Sequence, residues 1–386
     1  MSRVIYTSLI LICFLLCKTP AFAIGEVEST RKHIEQQNNQ VIQLNTQSLK
    51  IEKSQSIEDV EKPHVVMDCL EKFHKGYTFE EGPVNYFKMG ILYGDETHIF
   101  KEDGHTLGSR FSLPVFEIYT KTKFNDNKYE LDTMFNTARE LPNYDNYFSE
   151  KISVLSLTRN IGKNQKIIIG QATRLPIGVE GKYSGFQQDF AEKSQIGRTF
   201  SNVRSMGIRN QGNYKYVDYD IGLYDSTRYS KDYFKGLDST GWINFKPLAS
   251  KPKYGSAVIG TGYNVGHYDK DYSVLSSYLE YNYKKIHSKF EYAHANGYNS
   301  VVESTNNAEG FYAALLYDLT KKIQLTARYD CLNPNKHRHD LSNTEYTAGF
   351  VYKPFENFKV FVNYIYKDKA TAPNENRLML STSFYF

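Results

Sequence analysis

Between Asn85 and Phe386 the sequence repeatedly alternates apolar and polar residues, and this period of two constrains the fold more than any other feature. Successive side chains of a β-strand point to opposite faces, so each alternating segment has one apolar wall and one more polar wall. Ile323, Leu325, Ala327 and Tyr329 alternate with Gln324, Thr326, Arg328 and Asp330. Tyr346, Ala348, Phe350 and Tyr352 alternate with Thr347, Gly349, Val351 and Lys353. Phe358, Val360, Val362, Tyr364 and Tyr366 alternate with Lys359, Phe361, Asn363, Ile365 and Lys367. Read this way the region holds 16 strands, the first over 85–94 and the last over 376–386. A two-sheet sandwich would show the same alternation.

The connections separate the two possibilities. Counting back from the C-terminus they alternate long and short: 368–375 long, 354–356 short, 333–342 long, Thr320 and Lys321 short, 298–306 long, Lys284 and Lys285 short. The stretch 248–254 breaks the rule, being too long for a tight turn. Membrane barrels sort their loops in this manner, with tight periplasmic turns and free external loops, whereas a sandwich has no reason to. The chain also ends with Leu378, Leu380, Thr382, Phe384 and Phe386 on one face, a pattern that resembles the signal read by the outer-membrane assembly machinery. A sheet in hydrocarbon must close on itself to pair its backbone, and a barrel of about 16 strands leaves an aqueous channel. The expected fold class is all-β: a transmembrane antiparallel β-barrel with a short N-terminal helical or coiled-coil segment.

The N-terminus fits export to such a membrane. Arg3 supplies a positive charge, residues 9–16 an apolar run, and Ala21-Phe22-Ala23 a small-x-small cleavage site. The expected division is 1–23 signal peptide, 24–62 polar periplasmic segment, 63–84 junction and 85–386 outer-membrane barrel. In 24–62, Ile34, Val41, Leu44 and Ile51 fall on the apolar positions of a heptad frame that Gln37 and Ser48 interrupt. A short coiled coil holding a trimer together and a polar linker are both consistent with this. Of four cysteines, Cys13 and Cys17 leave with the signal; Cys69 and Cys331 remain, and their separation does not establish a bond.

Composition agrees. The chain has 32 Tyr and 24 Phe but one Trp, a density suited to aromatic girdles at the membrane–water interface and to strands generally. Mean hydropathy is −0.54, compatible with a barrel because only alternate residues meet lipid. Removing Arg3 and Lys18 from the 47 basic residues leaves 45 against 43 acidic, a net of +2 that points to no nucleic-acid partner.

The polar parity places Arg328, Lys359, Arg377 and Arg209 toward the lumen, with Arg110 and Arg174 on strands that alternate less cleanly. A charge facing lipid at mid-wall costs roughly 2–4 kcal/mol, so the lumen is the cheaper side. Cations there would concentrate anions, or merely pair with acids such as Asp330. No HExxH, CxxC, GxSxG or P-loop motif is present. The expectation is a non-enzyme with no cofactor and no metal; His337, His339 and Asp340 read as a solvated loop.

The run Ala327-Arg328-Tyr329-Asp330, then Asn333-Pro334, Glu345-Tyr346-Thr347-Ala348-Gly349-Phe350, Tyr352-Lys353-Pro354 and Asn363-Tyr364-Ile365-Tyr366 resembles the phosphate-selective porin O and P family. Gly170-Gln171, followed by Pro176, Gly178 and Glu180, resembles it also. The resemblance implies an outer-membrane porin, a homotrimer in outer-membrane lipid, that passes small hydrophilic solutes with a preference for anions or phosphate. By its length and its place between the fifth and sixth strands, the long connection 176–200, with Lys182, Lys193 and Arg198, is expected to fold inward and narrow the channel as the corresponding loop of trimeric porins does. Competing readings are an exposed loop, a general or sugar-selective porin, and a non-conducting envelope anchor or adhesin.

Overall fold

The computed structural model describes residues 75–80, 82–102, 105–138, 151–173, 178–182, 185–200, 204–226, 236–268, 270–297 and 307–385. The expected signal peptide, the 24–62 segment, Cys69 and Arg174 lie outside the described residues.

In chain order the strands are β1 (Tyr77–Thr78), β2 (Val84–Glu102), β3 (His105–Phe124), β4 (Tyr129–Asn136), β5 (Ile152–Ile161), β6 (Gln165–Thr173), β7 (Arg204–Asn213), β8 (Val217–Asp225) and β9 (Leu237–Phe245). They continue with β10 (Ser256–Tyr268), β11 (Lys270–Tyr283), β12 (Ile286–Asn296), β13 (Asn307–Asp318), β14 (Ile323–Asn333), β15 (Asn343–Phe355), β16 (Phe358–Asp368) and β17 (Glu375–Tyr385). From β2 onward each strand pairs antiparallel with the next, and β17 returns to β2, so 16 strands form a closed barrel. The two residues of β1 add to β2 through Tyr77↔Phe87 and Thr78↔Tyr86. At the closing seam Leu378 lies beside Ile99, Leu380 beside Thr97 and Phe384 beside Tyr93.

Residues directly paired across strands share a face, so the register carries the alternation around the wall. The outer face is apolar and open: Leu275 and Leu315 are each 55 % exposed, and Ile169, Leu223, Val265, Leu378 and Leu380 are exposed beside them. A continuous apolar surface of this kind is foreign to a soluble monomer and natural against hydrocarbon. No described helix is long and apolar enough to cross a membrane.

Most strands lie within a few residues of their expected positions, which in chain order are 85–94, 108–120, 128–138, 147–159, 165–175, 201–211, 213–225, 237–247, 255–266, 272–283, 286–297, 307–319, 322–332, 343–353, 357–367 and 376–386. The larger differences have local causes. β2 and β3 continue well past 94 and before 108 as a tall hairpin, with register shifts at Gly94/Glu96 and Phe100/Lys101. β8 begins at Val217 because Tyr214 donates its backbone N–H to the Val217 carbonyl at 2.8 Å and closes a turn there. The tight β3–β4 turn holds Asn125, Asp126 and Asn127 at φ 53, 54 and 60, a region Asn and Asp tolerate better than other side chains.

The connection between β6 and β7 enters the barrel. It contains α1 (Gly178–Gly181), a 3-10 turn at Gly185–Gln187 and α2 (Gln195–Phe200). The hydrophobic core lies where this loop meets the wall, with Phe190, Ile196 and Phe200 packed on Val274, Ala293, Ala295, Ala308, Tyr312 and Leu332.

Candidate functional site

The lumen and the loop inside it form the site. The wall under the loop is built of small residues at inward positions. Ala293 pairs with Gly310 and Ala295 with Ala308, which leaves a socket for larger side chains from the loop. A Cβ on Gly310 would come within 2.7 Å of Ile196 Cγ2. Val179, Ile196 and Phe200 are 0 % exposed, so the loop is packed into the wall and not draped across it. Full burial of such side chains stabilises the docked position by roughly 1.5–3 kcal/mol each.

Polar contacts latch the same interface. The backbone N–H of Val179 donates to Glu291 at 3.0 Å, that of Gln195 to Asp330 at 2.7 Å, and that of Ala191 to Asn363 at 2.8 Å. Glu291 and Asp330 are buried on β12 and β14, and a short loop's backbone N–H groups have few partners of their own. Glu180, in α1, accepts from the Ser194 N–H at 2.7 Å and so closes the loop on itself. Lys289 on β12 pairs with Asp189 of the loop.

The cations expected on the strands divide between this latch and the rest of the wall. Arg328, whose side chain is 0 % exposed, lies 3.4 Å from Glu180 and 3.7 Å from Asp330, and donates to the carbonyls of Glu192 and Lys193 at 3.0 and 3.3 Å. Its guanidinium also stacks on Phe190 at 4.7 Å. Lys359 donates to the carbonyls of Phe186 and Gln188 at 2.7 and 3.2 Å. Arg377 bridges Glu375 at 2.7 Å and Glu192 at 3.3 Å. From the loop, Lys182 meets Glu280 at 3.2 Å and Arg198 meets Glu345 at 2.8 Å, while Lys193 offers its carbonyl to Arg198 and Arg328. Arg209 faces inward from β7 and pairs with Asp220 at 3.3 Å. Arg110 faces inward from β3, beside His98.

The opposite wall, β2 to β8, holds inward lysines that the alternation argument passed over. Lys88 and Lys121 are direct cross-strand neighbours, as are Lys123 and Glu130. Lys121 is held by Glu130 and, at 3.3 Å, by Asp132. The other described carboxylates there are also engaged: Glu96 with His98 at 3.0 Å, Glu117 with Ser153 at 3.4 Å, Asp218 with Lys246 at 3.1 Å and Asp220 with Arg209. Lys88, Arg110 and Lys166 make no ion pair among the described residues. Among the described residues three inward cations of this wall thus have no carboxylate partner, and one of them, Lys88, lies over the Tyr119 ring at 5.8 Å.

Residues 254–385 match the family described as phosphate-selective porin O and P. No curated protein matches the chain. Among solved structures, the outer membrane channel DcaP of Acinetobacter baumannii is similar at a TM-score of 0.57 and 12 % identity, covering 81 % of this chain and 99 % of its own. An anion-selective porin from Comamonas acidovorans is similar at 0.53 and 9 %, covering 78 % and 99 %. The trimer form of in-vitro-folded OmpT of Vibrio cholerae is similar at 0.50 and 12 %, covering 78 % and 99 %. At these identities the likeness is one of fold.

Proposed function

We propose that this chain, a porin by fold and by the family its C-terminal third matches, forms a passive outer-membrane channel for small hydrophilic solutes with a preference for anions. A single observation supports the preference: among the described residues Lys88, Arg110 and Lys166 make no ion pair on this wall, whereas the acids around them each have a partner. A narrow passage with one sign of free charge raises the local concentration of the opposite ion. The cations of the loop side, Arg328, Lys359, Arg377, Lys182 and Arg198, together with the carbonyl of Lys193, hold the loop in place and act on solutes through the shape of the passage. Arg174 belongs to the same proposal only as a candidate. The active unit is proposed to be a homotrimer exported by way of a cleaved leader, and phosphate is proposed as one permeant anion among others.

Planar-bilayer recording with ion substitution tests this. In a potassium chloride gradient the reversal potential should lie on the chloride side. The triple variant Lys88→Glu, Arg110→Glu, Lys166→Glu should move it toward or past zero while leaving discrete conductance steps. A cation-side reversal in the unaltered protein would remove the anion preference and leave a general porin. Absence of any conductance would favour the anchor reading.

A further inference from the structure

Five consecutive connections at one end of the barrel, from β5–β6 to β13–β14, each carry one to three lysines, and none carries Asp or Glu. This is the end of short turns that closes β11 to β12 with only Lys284 and Lys285. Lys246 turns inward to Asp218 at 3.1 Å. The remaining lysines of these turns are exposed and make no ion pair among the described residues.

Four of these eight ammonium groups lie against tyrosines. Lys215 is 5.2 Å from the Tyr216 ring, Lys253 4.8 Å from Tyr254, Lys284 5.1 Å from Tyr283 and Lys285 6.0 Å from Tyr317. Next to these rings the apolar belt begins, with Ile161, Phe245, Ile286 and Leu319 exposed. Tyrosine sits at the level where hydrocarbon gives way to headgroups, and a lysine stem runs along apolar surface to bring its charge there. These four lysines thus stand on the circumference of the barrel and not in its passage. At the other end, charges of both signs pair locally, as Arg338 does with Asp340 at 2.7 Å and Lys369 with Glu375 at 2.8 Å.

We propose that this arc of turns binds net-anionic phospholipid headgroups of the periplasmic leaflet. A phosphodiester supplies the acceptor that the turns lack. A zwitterionic lipid carries its own ammonium, which competes with lysine for that phosphate, so the surface selects lipids of net negative charge. The inference rests on the membrane-spanning fold and not on the solute the channel passes.

The test reconstitutes the full chain in vesicles of equal parts phosphatidylglycerol and phosphatidylcholine, extracts it in mild detergent and measures the retained lipids by mass spectrometry. Phosphatidylglycerol should exceed its bulk ratio by roughly fivefold, and the excess should fall in high salt. Replacing Lys215, Lys253, Lys284, Lys285, Lys321 and Lys322 by Gln should return the ratio to bulk, and replacing them by Arg should keep it, with single-channel conductance unchanged in both. A bulk ratio on the unaltered protein, or an undiminished excess on a conducting Gln variant, would overturn the proposal. So would a Gln variant that loses anion current while retaining the same lipids, because the lysines would then serve the solute.

Discussion

The barrel wall from β11 to β17 and the wall from β2 to β8 obey the same alternation and do different things. On the first, inward residues are buried: Glu291, Tyr312, Asp330, Asn363 and Met379 are each at or below 1 % exposed. On the second, Ser153, Thr158, Ile168 and Asp220 are buried too, but Lys88, Lys121, Lys123 and Lys166 remain half-buried. The loop from β6 to β7 packs its apolar side chains against the first wall. Where it docks, a guanidinium becomes a structural clamp; where it does not, an ammonium faces solutes. An inward-facing cation is therefore not in itself a selectivity element.

Substitutions at matched positions sharpen this contrast. The largest effect is expected for Arg328→Ala. It leaves Asp330 and Glu180 facing an uncompensated cavity, and breaking a buried charge pair typically costs about 3–5 kcal/mol. Heat-dependent mobility of the folded barrel in detergent should fall accordingly, and channel current should become larger and noisier as the loop loosens. An Arg328→Ala protein with unaltered stability and quiet current would mean that the loop is not held by this clamp. Next comes Ile196→Ala, which empties the socket formed by Ala293, Gly310 and their neighbours; truncation of a fully buried Ile costs roughly 2–5 kcal/mol. Its mark should be greater protease access to the loop with the wall intact.

On the open wall the balance reverses. Lys121→Met should change stability by only about 0–1 kcal/mol, because its pairs with Glu130 and Asp132 are partly solvated. It should nevertheless shift the reversal potential toward cations by releasing Asp132 into the passage and leaving Glu130 with Lys123 alone, at 4.0 Å. A shift of equal size for Lys359→Met, which the loop carbonyls cover, would erase the proposed distinction between the walls. The smallest effect belongs to Arg338→Ala in an external loop, where the side chain is 59 % exposed and, among the described residues, pairs with Asp340; stability should stay within about 0.5 kcal/mol and conductance should not move.

Much of this was legible in the linear chain. The parity of Ile323 to Asp330, of Tyr346 to Lys353 and of Phe358 to Lys367 assigns faces that the register reproduces. One signal in the same strands was open to a sharper reading. Phe361, Ile365 and Val351 fall on the polar parity, and the structure buries them at 2 %, 1 % and 1 % exposure. Apolar residues on both faces of a membrane strand mean that something other than water covers the inner one. Lys88 and Lys166 were passed over because β2 alternates weakly and β6 carries Ile167, Ile168 and Ile169 in succession.

Sequence alone determined the architecture: a side-chain period of two, sorted connections and a chain that must satisfy its backbone in hydrocarbon admit few solutions besides a closed barrel. Tertiary structure decided which charges are free. Whether Arg328 meets a solute or a carbonyl depends on a loop more than a hundred residues away in the chain, and the local pattern carries no information about contacts formed over such a distance. Electrostatic function in this lumen is a property of those long-range contacts, since a charge acts on solutes only to the extent that its neighbours leave it unsatisfied.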